Sequence, residues 1–184
     1  MEAEALRAAV LAELVDAELA GLGFAAASGL GCPGGCRDCC AHDKPEDTAL
    51  AALPAAWWAL RSGLYDKVAA AEPGGPCVFF EPAAPRPCSV YPARPLICRL
   101  FAFAGSRDKH GLPRFTPCRR MPAGPGPFAG FPLFEDCSRR LDGLHPALAE
   151  ERLPINLAFQ RAAAWLAMKP GFAEASWREA SSGA

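Results

Sequence analysis

Four cysteines lie within nine consecutive residues of this 184-residue chain, in the stretch CPGGCRDCC that begins at residue 32. These four are Cys32, Cys36, Cys39 and Cys40, and five more follow as Cys77, Cys88, Cys98, Cys118 and Cys137. Thiolates are soft ligands that suit zinc, copper(I) and iron–sulfur clusters. A CxxC step also lets two sulfurs reach one metal ion across a tight turn. This clustering therefore indicates metal binding rather than ordinary core packing.

The adjacent cysteines Cys39 and Cys40 have a further consequence, because neighbouring side chains point in different directions. Such a pair serves two centres or leaves one thiol unused. The first four cysteines, the three at 77, 88 and 98, and one later cysteine make eight, twice the number that one tetrahedral zinc ion takes. We therefore predict two metal centres, or one cluster beside one mononuclear site.

Composition and charge favour a reducing compartment and exclude some partners. Nine cysteines in 184 residues is a lower share than the roughly 8–10% of small disulfide scaffolds, and an odd number cannot all pair. A net charge of -1 and a pI near 6.3 provide no basic field for nucleic acid. The start MEAEALRAAV is acidic, and glycines and prolines interrupt the uncharged stretches, so we expect no signal peptide and no membrane span. A cytoplasmic protein follows as the expectation.

Helical patterns flank the cysteine region. In residues 3–20, one row of Leu6, Val10 and Leu14 and a second row of Leu11, Val15 and Leu19 predict a helix with a broad apolar face, ended by Gly21 and Gly23. After the cysteines, Asp43 and Pro45 predict a helix start. Pro54 predicts a break near Leu53, with a second helix to about Ala71. Near the other end, Pro154 opens a helix that carries Ile155, Phe159, Ala162 and Leu166 on one face and closes at KPG, 169–171.

The stretch from 72 to 130 is rich in proline and glycine, which predicts loops and brief strands at 78–80, 89–91 and 100–103, with a hairpin around Asp108 to Gly111. Metal ligation can order such a stretch, because the binding free energy then becomes folding free energy. We predict a single, mainly α domain with a central irregular, loop-rich metal-binding region and a few short strands. Its parts are an N-terminal helix (1–31), the cysteine region (32–137), and C-terminal helices with a disordered end (138–184).

Two segments carry a family resemblance: CPGGCRDCC, and later CVFFEPAAPRPCSVYPARPLICRLF. Together they resemble the YkgJ-type cysteine-cluster family, whose pattern is CxxCxxCC followed by a cysteine, a CxIY, an RPxxCR and a final cysteine. The resemblance runs from about residue 32 to residue 118. Cys88 and Tyr91 fall in the CxIY element, and Arg94, Cys98 and Arg99 in RPxxCR. The first spacer here has three residues where the family commonly has two.

The resemblance implies chelation of zinc or iron, as single ions or as an iron–sulfur cluster, with the metal largely structural. The implied ligands are Cys32, Cys36, Cys39, Cys40, Cys77, Cys88, Cys98 and Cys118, with Cys137 as the alternative to Cys118. It also implies supporting roles around the metal for Arg94 and Arg99, with Tyr91 as a wall of the site. Arg37 and Arg119, beside cysteines, can offset thiolate charge, and His42 is a further ligand candidate.

Other functions stay open at this point. An iron–sulfur redox protein or electron carrier uses the same ligands. Flagellin lysine N-methylases carry a similar cysteine pattern, but their chains are longer. Radical S-adenosylmethionine enzymes share the CxxxCxxC spacing, but they need a large βα barrel and commonly an aromatic residue where this chain has Asp38. The leading expectation is a metal-binding protein without enzymatic activity, with metal ions as partners, no nucleic acid or membrane partner, and any protein partner left open.

Overall fold

The computed structural model describes residues 2–33, 36, 38–41, 45–85, 87–121 and 128–169. Over these residues the fold is mainly α, as predicted. The helices are α1 (Ala3–Ala27), α2 (Asp38–Ala41), α3 (Ala49–Arg61), α4 (Tyr65–Ala69), α5 (Leu96–Leu100), α6 (Phe134–Asp142), α7 (Pro146–Ala149) and α8 (Ile155–Ala167). Strand β1 (Glu46–Thr48) pairs antiparallel with β4 (Arg152–Pro154), and β2 (Ser106–Arg107) pairs antiparallel with β3 (Pro113–Arg114). Among the described residues, no helix combines the length and the apolar character needed to cross a membrane.

Helix α1 is longer than predicted, because it continues through Gly21 and Gly23 to Ala27. Gly21 is buried against α5 and the turn that follows, where a Cβ atom would lie 3.0 Å from Cβ of Phe103. The glycine therefore permits close packing instead of ending the helix. The prediction of a broad apolar face was wrong, because the buried face of α1 is narrower than predicted. Leu6, Val10 and Leu14 are buried, whereas Val15 and Leu19 are exposed.

Helix α3 begins later than predicted and is not broken. Its N-cap is Thr48, whose side-chain oxygen accepts a hydrogen bond from the backbone N–H of Ala51 at 3.1 Å. Pro45 precedes strand β1 rather than entering the helix. Pro54 lies inside α3, where every residue from 49 to 56 is buried. Burial of this whole segment in the core outweighs the hydrogen bond that proline cannot donate. After α3, the predicted second helix is reduced to the short α4.

The main core forms where α3 packs on α8, with α1 and α5 alongside. Helix α8 buries Ile155, Phe159, Ala162 and Leu166 on one face, as predicted. Phe159 meets Phe79 edge to face at 4.8 Å between ring centroids, and both rings are fully buried. Phe79 lies in the central loop region, so this pair joins the loops to the helical core.

The central region differs from the prediction in two ways. Residues 100–103 lie at the end of α5 and in a turn, and of the predicted strands at 78–80 and 89–91 only an isolated bridge between Phe80 and Cys88 is present. The hairpin around Asp108 to Gly111 is confirmed by strands β2 and β3. A second apolar cluster, not predicted, gathers four aromatic rings from distant segments: Phe24, Phe115, Phe128 and Phe131. Hydrophobic burial thus contributes to order in this region.

Some sequence predictions concern residues outside the described ranges. These residues are Arg37, His42, Asp43, Pro170, Gly171 and the predicted disordered end.

Candidate metal centre

Five of the nine cysteines line one cavity of about 70 Å³: Cys39, Cys40, Cys77, Cys88 and Cys98. Cys39 and Cys40 lie on α2, Cys98 on α5, and Cys77 and Cys88 in the loop region between α4 and α5. The other walls are mainly apolar, with Val90 in the loop region, Ile97 on α5, and Ile155 and Phe159 on α8. Three separated parts of the sequence therefore converge on one space. Cys40, Cys77, Cys88 and Cys98 are called the inner thiols below.

A buried asparagine on α8 positions the loop that carries Cys77. Asn156 Oδ1 accepts a hydrogen bond from the backbone N–H of Val78 at 2.9 Å. Its Nδ2 donates to the carbonyls of Glu72 at 2.8 Å and Pro76 at 2.9 Å. The loop backbone therefore has fixed partners in a region without extended strands. The sequence signal was a polar residue within the otherwise apolar face of α8.

A buried aspartate positions the helix that carries Cys98. Asp47 Oδ2 accepts a hydrogen bond from the backbone N–H of Ile97 at 2.8 Å, and Oδ1 accepts one from Thr48 at 2.9 Å. Arg152 lies 3.7 Å from the same carboxylate. Burial raises the pKa of Asp47 to about 6, although these hydrogen bonds and Arg152 act in the opposite direction. Sequence analysis missed Asp47, because its bonded helix is 50 residues away.

The inner thiols share an environment that disfavours isolated negative charge. Burial raises the pKa of Cys77 to about 11, and it raises the pKa of Cys88 and, strongly, that of Cys98. For Cys40, a hydrogen bond with Cys39 raises the pKa most, followed by burial. Neighbouring cysteines raise each of these values further, which places the thiols within electrostatic reach of one another. A soft cation among them would reverse this effect and hold them as thiolates.

Cys32 lies within electrostatic reach of Cys36 and Cys118. Burial raises the pKa of Cys32 to about 11, and its neighbours Cys36, Cys39 and Cys118 raise it further. The backbone N–H of Cys36 closes a turn by donating to the carbonyl of Pro33 at 3.0 Å. Cys32, Cys36 and Cys118 are called the outer thiols below. Cys39 interacts with both groups, since it raises the pKa of Cys88 as well as that of Cys32.

An ion-pair cluster joins the segment around Cys39 to the segment around Cys118. Asp38, directly before Cys39, accepts hydrogen bonds from Arg119 Nε at 2.8 Å and from Arg120 Nη2 at 3.0 Å. These hydrogen bonds, with Arg120 first and Arg119 second, lower the pKa of Asp38 to about 2. The Asp38 side chain is buried, whereas the two arginines are largely exposed. In the sequence, this cluster corresponds to an acidic residue directly before Cys39 and two arginines directly after Cys118.

The RPxxCR arginines take different positions. Arg99 is buried, and its guanidinium donates to Glu18 on α1 and to the backbone carbonyls of Pro92 and Arg94. Arg94 lines the cavity and donates to Glu18 at 2.6 Å. Tyr91 is not among the residues that line this cavity, and its role beside a metal stays a prediction. It is 50% exposed, and its ring lies under the Arg94 guanidinium at 3.6 Å.

Cys137 does not line the cavity. It is buried on α6 as part of the main core, and its sulfur is 3.6 Å from Nη2 of Arg140. All nine cysteines lie within the described residues and are free thiols. Their side chains, as oriented in the described part of the chain, do not form a group of three ready to ligate one ion.

A family model matches the cysteine-rich part of this chain. Residues 31–119 match the model of a family with the description "CxxCxxCC: Putative zinc- or iron-chelating domain". No curated protein and no solved structure matches this chain. The matched range includes eight of the nine cysteines and leaves out Cys137. The match supports metal binding, with zinc or iron as the metal. Over residues 31–119, this chain is therefore similar to the CxxCxxCC family.

Proposed function

We propose that this protein binds two zinc ions, each by four thiolates, and that the metal is largely structural. The inner site uses Cys40, Cys77, Cys88 and Cys98. The outer site uses Cys32, Cys36, Cys118 and Cys39. The observation that carries the proposal is the convergence of cysteines from separated segments on one cavity, with a second group next to it.

Cys39 is assigned to the outer site for two reasons. It completes a CxxC step with Cys36, which suits ligation of one ion across a turn. Its neighbour Cys40 lies nearer the inner group, since Cys98 and Cys77 raise the pKa of Cys40. Adjacent side chains diverge, so one thiol of the pair serves each centre.

Positive side chains lie near both groups of thiols. Eight thiolates with two Zn²⁺ carry a net charge of about -4. Arg94 lines the inner cavity, and Arg120 lies within electrostatic reach of Cys36 and Cys118. These guanidiniums offset part of the excess negative charge. A site filled by four thiolates keeps no open position for substrate, so the proposed role is structural and the protein is not proposed as an enzyme.

An iron–sulfur cluster is the second candidate, for the inner site. Five thiols and apolar walls around one cavity fit a buried cluster held by four cysteines, which would make the protein a redox carrier. Either metal keeps its thiol ligands best in a reducing compartment, so the cytoplasm is the proposed location.

The test is metal analysis of protein purified without oxygen. Two zinc ions per chain and no visible absorption support the proposal, whereas broad visible absorption with iron and sulfide supports the cluster. Cys118→Ser is expected to lose metal from the outer site, and Cys137→Ser to keep full metal content. Full metal content in Cys118→Ser with loss in Cys137→Ser would contradict the ligand assignment. One metal ion per chain in the unaltered protein would contradict the two-site proposal.

A further inference from the structure

The two proposed sites differ in how their ligands are held. The inner thiols are half-buried in a cavity that Ile155 and Phe159 of α8 also line, and two buried side chains, Asp47 and Asn156, fix the backbone beside Cys98 and Cys77. The outer group has an exposed member, Cys32. A competing ligand can reach a metal ion at an exposed thiolate more readily than one behind packed side chains.

The outer group also depends on a long-range connection. Cys118 comes 79 residues after Cys39 and 82 after Cys36, and the ion pairs of Asp38 with Arg119 and Arg120 hold its segment against α2. Arg119 and Arg120 are 65% and 58% exposed at their side chains, whereas Asp38 is 8% exposed. Because the acceptor carboxylate is buried and both donors are charged, these hydrogen bonds hold the two segments together more firmly than a surface ion pair does.

We infer that the outer site is an exchangeable metal site and that Asp38 is the positioning residue that controls release of its metal. The inference rests on the proposed function. Without the carboxylate, the Cys118 segment is held less closely, so this thiolate leaves the ion more often and a competing ligand takes its place. In the exchange, the donor atoms of the competing chelator form bonds to Zn²⁺ as the zinc–sulfur bonds break. The released thiolates take protons from water, and nothing is oxidised or reduced.

The experiment measures zinc release from the two-zinc protein into an excess of 4-(2-pyridylazo)resorcinol, followed by the absorbance of the zinc complex. We expect two phases of one zinc equivalent each. Asp38→Asn is expected to accelerate the fast phase by about tenfold or more, which corresponds to the loss of charge-assisted hydrogen bonds, and to leave the slow phase unchanged. Cys32→Ser is expected to remove the fast phase.

Asp136→Asn is the matched control, because Asp136 also pairs with two arginines, Arg107 at 3.3 Å and Arg139 at 3.1 Å, but outside both groups of thiols. Both phases are expected to keep their rates in this variant. Arg119→Gln provides a second variant at a largely exposed position in case Asp38→Asn does not fold, and it is expected to accelerate the fast phase less.

Each failure has a distinct signature. If the unaltered protein binds fewer than two zinc ions, the proposed function fails before the exchange is measured. If it binds two and both leave at one rate, or if loss of the Asp38 carboxylate accelerates the slow phase, the two-site function stands and the exchange inference is overturned. An unchanged fast phase in both Asp38→Asn and Arg119→Gln would also overturn it.

Discussion

Glu18 on α1 is ion-paired with Arg99, the buried guanidinium that directly follows Cys98 on α5. The two residues are 81 positions apart. Burial lowers the pKa of Arg99, and Glu18 acts in the opposite direction. Glu18 also accepts a hydrogen bond from Arg94 at 2.6 Å. A helix outside the matched family range therefore holds two arginines beside the proposed inner site.

The first prediction concerns this ion pair. Glu18→Gln is expected to lower the free energy of unfolding by about 3 kcal/mol, because it leaves the buried Arg99 without its charge partner. Glu13→Gln is the control on the same helix, since Glu13 pairs with Arg140 at 3.5 Å near the surface. The Glu13→Gln substitution is expected to lower the free energy of unfolding by less than about 1 kcal/mol. Urea unfolding of the metal-loaded variants measures both values, and equal losses would contradict the prediction.

Two glycines of α1 provide a matched test of the packing against α5. Gly23 has open space where a Cβ would lie, so Gly23→Ala is expected to stabilise the protein by about 1 kcal/mol through helix propensity. A Cβ at Gly21 would lie 3.0 Å from Cβ of Phe103 and 3.2 Å from Leu100. Gly21→Ala is therefore expected to be less stable than Gly23→Ala by about 1–3 kcal/mol. Thermal unfolding compares them, and equal stabilities would show that α5 moves to accommodate the methyl group.

Metal removal is expected to unfold the cysteine region and leave part of the helical core. The described residues between 72 and 120 have little regular structure, whereas α3 and α8 bury apolar side chains mainly against each other. Circular dichroism during chelation is expected to show partial loss of helix, and limited proteolysis is expected to cut first within the cysteine region. A metal-free protein as protease-resistant as the metal-loaded one would contradict a structural role for the metal.

Thiol counting distinguishes two filled sites from one. Eight ligating thiolates leave Cys137 as the remaining free thiol, and it is 4% exposed. We therefore expect one thiol or none to react with an aromatic disulfide reagent in the native protein, and all nine after chelation and unfolding. Four or more reactive thiols in the native protein would exclude two filled four-thiolate sites.

The sequence by itself determined the kind of chemistry and much of the local structure. Clustered cysteines and the two family segments predicted metal binding, because ligand type and close spacing are local properties. Periodic apolar residues predicted the buried face of α8, and the turn residues near Gly111 predicted the β2–β3 hairpin. Each of these signals lies within a short stretch of chain.

Only the tertiary structure decided which cysteines meet and which side chains hold them. The sequence predicted eight candidate ligands, but which of them lie near one another follows from how α2, α5 and the central loops pack. Asp38, Asp47 and Glu18 contact partners 81, 50 and 81 residues away, respectively. Tertiary packing also decided the outcome at Gly21 and Pro54, neither of which breaks its helix. Gly21 packs against α5, and Pro54 is completely buried in α3. Local propensities are worth about 1–3 kcal/mol at such positions, and burial of a whole helix face exceeds them.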